Sequence, residues 1–214
     1  MYARRLAKFG LIPLSLLCVY TRAASLPALR EVRRELPVSL LAASTLPPVA
    51  LSALQHELES LMGKAGYNLD WAPTASAQGN VSVELRGTCA VPTHASLSPV
   101  PAGLPMASTA TADGILLPKT WVNCGAVRAI LAPRITDQPA VRRDFLTGRA
   151  VARLIAHELY HVLTQERSHS EEGVAKESLG AADLLNETSN FDAATMRELQ
   201  VTRHSGKAAT ATFR

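Results

Sequence analysis

The chain has 214 residues, of which 47% are hydrophobic and 19% charged. That suits one globular domain with a real core and excludes a compositionally disordered protein. The only long apolar run, Phe9 to Tyr20, is too short to cross a bilayer, so stable membrane insertion is not expected. The formal charge of +4 is concentrated at the start, where Arg4, Arg5, Lys8 and Arg22 have no acid beside them; taking these four from 22 basic residues leaves 18 against 18 acidic. Such a balance gives no electrostatic reason to expect a nucleic acid partner.

Residues 1–25 have a basic start, an apolar stretch and a small-residue end at Ala23-Ala24-Ser25, the three parts of a secretory signal. The expectation is a signal peptide over 1–25 and a secreted or periplasmic domain over 26–214. Lipid attachment at Cys18 is disfavoured by Leu17, where such sites carry a small residue. Removing the leader removes Cys18 and leaves Cys89 and Cys124, an even count outside the cytoplasm, which predicts a disulfide.

After a Pro-broken stretch from Leu26 to Pro48, Leu51, Leu54, Leu58, Leu61 and Met62 recur at helical spacing, with Gly63 and Gly66 as stop signals. Tyr67 to Trp71 reads as a short strand, and Val81, Val83 and Leu85 alternate as a half-buried one leading to Cys89. Met106 to Ala112 and Ile115 to Cys124 flank Asp113-Gly114, a hairpin signal, with Pro118 suiting an edge or a bulge. A short helix from Ala126 to Leu131 should end at Pro133 and a second begin near Pro139. Thr147 can cap a further helix from Gly148 to Thr164, and Phe191 to Val201 suggests a last one. This order is α+β.

Within the Gly148 to Thr164 helix stands His157-Glu158-Leu159-Tyr160-His161, an HExxH motif. Four residues advance a helix by about 400°, so the two histidines share one face and can grip one metal ion, with Glu158 on the flank. Zinc held by neutral imidazoles acidifies a water, and a neighbouring carboxylate can move its proton. Leu154, Val151, Val162, Ile155, Leu159 and Leu163 form a broad apolar arc, with Arg149, Arg153 and Thr164 opposite and the histidines at the boundary. Tyr160 projects away from the histidines, which points to packing.

A hydrolytic zinc site normally takes a third protein ligand. His169, eight residues beyond His161 in a polar loop, can turn back beneath the metal; the carboxylates of Glu171, Glu172, Glu177 and Glu187 compete with it. His56, His94 and His204 have no partners at useful spacing and read as solvated surface histidines. Ser170 reads as a turn cap, and Met196 as a core residue.

The motif resembles that of the metzincin zinc peptidases, HExxHxxGxxH followed by a turn containing methionine. Here Thr164 and Arg167 fall at the places of the glycine and third histidine, so the loop is two residues longer. The stretch His169-Ser170-Glu171-Glu172-Gly173-Val174-Ala175 is closer to a group of small exported bacterial proteins that carry HExxH, seven residues, then His-Ser-x-x-Gly and Ile-Met or Val-Met. Ala175 stands where those proteins have the turn methionine. The resemblance extends to Gly87-Thr88-Cys89 and Asp113-Gly114 through Cys124, spanning about residues 48 to 190.

This resemblance favours histidine over carboxylate as third ligand. It implies a zincin-like (metzincin-like) α+β domain with a mixed sheet and an active-site helix, whose sheet edge binds extended peptide. The expected function is a zinc peptidase: His157, His161 and His169 hold Zn2+, Glu158 is the general base, and the partner is a peptide or protein substrate. The alternatives are a gluzincin-type hydrolase with a carboxylate ligand and a catalytically silent, zinc-stabilised binding domain. Retention of Glu158 argues against the silent domain, since a structural site needs no base.

Overall fold

The elements run β1 (Arg34–Leu41), α1 (Pro48–Lys64), β2 (Tyr67–Trp71), β3 (Val81–Arg86), β4 (Ala107–Ala112), β5 (Ile115–Asn123), α2 (Cys124–Ile135), α3 (Ala140–Thr164), α4 (Ala181–Leu185) and α5 (Ala193–Ser205). They come from a computed structural model that describes residues 33–42, 45–71, 80–93 and 104–205. The leader expected over 1–25 and His94 lie outside the described residues. The strands form one sheet in the order β2-β1-β3-β5-β4, parallel except for β4, which runs antiparallel to β5. The fold is therefore α+β with a mixed sheet, as expected. Among the described residues no helix is long and apolar enough to cross a membrane.

Several local expectations give way to tertiary context. The Leu26 to Pro48 stretch contains β1, in spite of Pro37. That proline pairs with Asp70 of β2, while pairing with β3 begins only at Val38, so its missing N–H costs no pairing with a strand among the described residues. The two helices expected after Pro139 are one, α3, with Pro139 at its N-cap. Thr147 caps nothing there and is 1% exposed in mid-helix. Gly148 is a contact point: a Cβ on it would lie 2.1 Å from the Ala50 carbonyl oxygen, so the missing side chain lets α1 and α3 cross closely. Pro133 lies inside α2, which continues to Ile135. The segment after His169 holds the short helix α4, which was not expected.

The α1 leucines at 54, 58 and 61 pack in the core against α3, each buried side chain contributing about 2 kcal/mol. Every residue of α3 from Leu146 to Leu163 is buried, including the face expected to be polar. Arg153, 1% exposed, donates from Nε to Glu57 of α1 (2.8 Å) and from Nη1 to the carbonyls of Asp183 and Leu184 (2.9 Å each). Arg149 donates to the Asn186 carbonyl at 2.6 Å. The arginine face is thus covered by α1 and by α4 with its flanking turn. Cys89 and Cys124 are paired as a disulfide with Cα atoms 4.2 Å apart, joining the segment after β3 to the start of α2.

Candidate metal centre

Helix α3 presents His157, Glu158 and His161 to a cleft of about 280 Å3, whose other walls include Ala107, Ser108 and Thr109 of β4, Leu116 of β5, and Arg167, His169 and Glu177 of the following loop. A larger groove of about 870 Å3, lined by Glu171, Lys176 and Asp183 among others, shares His169 and Glu177 with it. Helix α3 ends at Gln165, which adopts φ 60° and turns the chain back. Gly173, at φ +73°, then allows close approach to the 190–192 segment, where a Cβ would meet the Asn190 carbonyl oxygen at 2.4 Å. Val174 N–H consequently donates to that carbonyl at 3.0 Å, and the loop lies against the site helix. The motif glycine has a physical reason here.

The imidazoles are fixed by this loop. His157 Nδ1 lies 2.9 Å from the Val174 carbonyl oxygen and His161 Nδ1 lies 2.8 Å from that of Glu166. A carbonyl only accepts, so each Nδ1 carries the proton and donates, and each neutral ring has its lone pair on Nε2. The two Nε2 atoms are 3.1 Å apart. Two lone pairs held that close repel unless they share an electrophile, and nitrogens each about 2.05 Å from one tetrahedral ion would be about 3.3 Å apart. The donor set therefore fits a metal ion. Burial pushes the His157 pKa down to about 4, against the raising effect of its Val174 bond, and burial lowers that of His161 as well. His157 is thus neutral and ready to ligate at pH 7.

His169 completes the group. Its ring lies 5.2 Å from that of His157 and 4.8 Å from that of His161, and one ligand atom from each of the three lies within 4.8 Å of the others. Among the described residues no carboxylate belongs to this group. Glu171 and Glu172 are exposed, Glu177 reaches only the cleft wall, and Glu187 is turned away toward Arg142, 3.7 Å distant.

Glu158 is 6% exposed, and its Oε2 accepts a 2.6 Å hydrogen bond from the Thr109 hydroxyl. Burial raises its pKa to about 6, with the Thr109 bond opposing. The β4–β5 register shifts between Thr109 and Thr111, a bulge of the kind that re-aims a side chain. Thr109 was not singled out by the sequence, nor were the Val174 and Glu166 carbonyls, since backbone groups leave no residue signature.

The remaining expectations sort simply. Tyr160 is 3% exposed and donates to Glu198 of α5 at 2.9 Å, which ties it into packing. The Ser170 hydroxyl donates to the Glu172 carbonyl at 2.5 Å and caps the turn. Met196 packs at the edge of the core, and Ala175, at the place of the turn methionine, is fully buried. His56 is exposed on α1, and the side chain of His204 lies outside the described residues. Comparison with known proteins finds no matching family model, no matching curated protein and no matching solved structure.

Proposed function

We propose that the protein is an exported, zinc-dependent peptidase of zincin-like, metzincin-like type. The observation that carries this reading is the pair of Nε2 lone pairs converging at 3.1 Å beside a buried carboxylate. A purely structural metal site would need the first feature and not the second. Peptide is favoured as substrate by β4, the last strand of the sheet, whose outer edge faces no other strand among the described residues and whose residues 107–109 form one wall of the cleft. An extended segment can add to such an edge through main-chain hydrogen bonds. Export rests on the features of residues 1–25, and a buried Cys89–Cys124 bond suits an oxidising compartment.

His157, His161 and His169 would hold the ion. Zinc, when bound, supplies a Lewis acid that acidifies water and polarises the scissile carbonyl. Glu158, with a pKa near 6, is largely ionised at neutral pH and takes a proton onto its carboxylate, then hands it to the leaving amine. Thr109 fixes Oε2 while Oε1 makes no hydrogen bond to a described residue, so one oxygen is anchored and the other is available for that transfer. Ala107, Ser108 and Thr109 of β4 form the wall beside this carboxylate.

The test is Glu158→Gln assayed with a peptide-library digest and a metal analysis on the same preparation. The variant should retain zinc and lose at least about 10²-fold in cleavage. Cleavage at the parental rate would remove Glu158 from the chemistry, and absence of zinc from the parent would remove the metal reading.

A further inference from the structure

We infer that Gln165 is a positioning residue: its side-chain amide stands in for a missing strand beside β5 and so holds the β4–β5 hairpin over the three histidines. Pairing between β3 and β5 begins at Lys119, so among the described residues β5 from Ile115 to Pro118 has no strand on its β3 side. The hairpin closes at Ala112↔Ile115, and in an antiparallel ladder the next residue, Leu116, turns its N–H and C=O away from β4. Those two groups would be unpaired without a substitute.

Gln165 is that substitute. Its Oε1 accepts from Leu116 N–H at 3.1 Å, and its Nε2 donates to the Leu116 carbonyl at 2.9 Å and to the Val162 carbonyl at 2.8 Å. One side chain thus reproduces both halves of a strand pairing and ties it back to the last turn of α3. Only a primary amide has a donor and an acceptor at this spacing, so neither Glu nor Lys can replace it. Gln165 also sits at φ 60°, a conformation that disfavours residues other than glycine, yet glycine would lose all three bonds. Arg167 adds a second attachment, donating to the Gly114 carbonyl at the hairpin turn at 3.2 Å. The hairpin carries Thr109, which holds Glu158. The clasp is therefore a link between the metal-binding helix and the wall of its own cleft.

The consequence for catalysis rests on the peptidase reading; the clasp itself does not. Two variants test it, Gln165→Ala and the near-isosteric Gln165→Glu, whose carboxylate cannot donate to either carbonyl. Hydrogen exchange should speed by about tenfold or more across residues 107–117, because a hairpin without the clasp opens more often. Amides of β1 and β3 should exchange at the parental rate, and the zinc bound per chain should not change. With an extended peptide, KM should rise by more than kcat falls. Unaltered hairpin exchange in both variants would overturn the proposal, as would a uniform rise in step with a lower Tm, the mark of a merely structural residue. Faster hairpin exchange with KM and kcat both at parental values would also overturn it. If hairpin exchange responds as expected while the parent cleaves no peptide, the clasp stands and the peptidase reading fails.

Discussion

Helix α3 carries two sets of buried polar side chains, and their surroundings differ. On the first, Arg149 and Arg153 meet complementary groups: Glu57, and the carbonyls of Asp183, Leu184 and Asn186, with the buried Arg153 Nη2 left without a hydrogen bond. On the second, His157 and His161 use backbone carbonyls to turn their bare nitrogens toward each other, and burial leaves Glu158 harder to ionise. Both sets are buried to a similar degree. A buried polar group that serves the fold is paired, because an unpaired one costs about 1–3 kcal/mol. One that converges on another of the same kind stores that cost, and a bound ligand can relieve it.

The contrast can be broken by mutation. His161→Ala should weaken zinc binding by about 10³-fold or more, since it removes one of the three proposed ligands, while the metal-free protein loses no more than about 1 kcal/mol. Equilibrium zinc titration and denaturant unfolding of chelator-treated protein measure the two. Arg153→Met should do the reverse, costing about 3 kcal/mol by leaving two carbonyls without their partner and Glu57 with only the 3.8 Å contact to Arg149, with zinc affinity preserved.

A pH series separates the sets without mutation. In metal-free protein the His157 pKa stands at about 4, below the usual 6.5, chiefly through burial. The unfolded chain takes up its proton near pH 6.5 and the folded one only near 4, so stability is full above about 6.5 and falls by about 3 kcal/mol as pH drops through that window. The lowered His161 pKa acts in the same direction. Arg153→Met should keep this slope and His157→Ala should flatten it, as read from urea midpoints at each pH. The smallest effect expected is that of Gly148→Ala. Its methyl group would meet the Ala50 backbone, costing about 2 kcal/mol in thermal unfolding with no change in zinc affinity.

What the sequence disclosed follows from how local each signal is. HExxH spacing, the Asp113-Gly114 hairpin, the α1 leucines and the Cys89–Cys124 pair all depend on periodicity, turn chemistry or simple count, and the structure contains each of them. Strand β1 was hidden because Pro37 forbids a strand only if its N–H side is occupied, which depends on where β3 begins. Gly148 read as the start of a new helix behind a Thr147 cap because its contact partner, Ala50, is about a hundred residues away. The arginine face of α3 read as the polar side opposite the apolar arc because α4 was not foreseen. In the site, HExxH and His169 were legible as residue types. The register shift beside Thr109, the carbonyls that set the histidine tautomers and the amide of Gln165 are products of tertiary contact, and no spacing rule reaches them.

The most direct measurement is the zinc X-ray absorption spectrum of the metal-loaded protein, beside that of His169→Ala. Three imidazole nitrogens at about 2.0–2.1 Å with one further light ligand are expected for the parent, falling to two imidazoles in the variant. Two imidazoles and a carboxylate in the parent, unchanged by His169→Ala, would contradict the three-histidine centre.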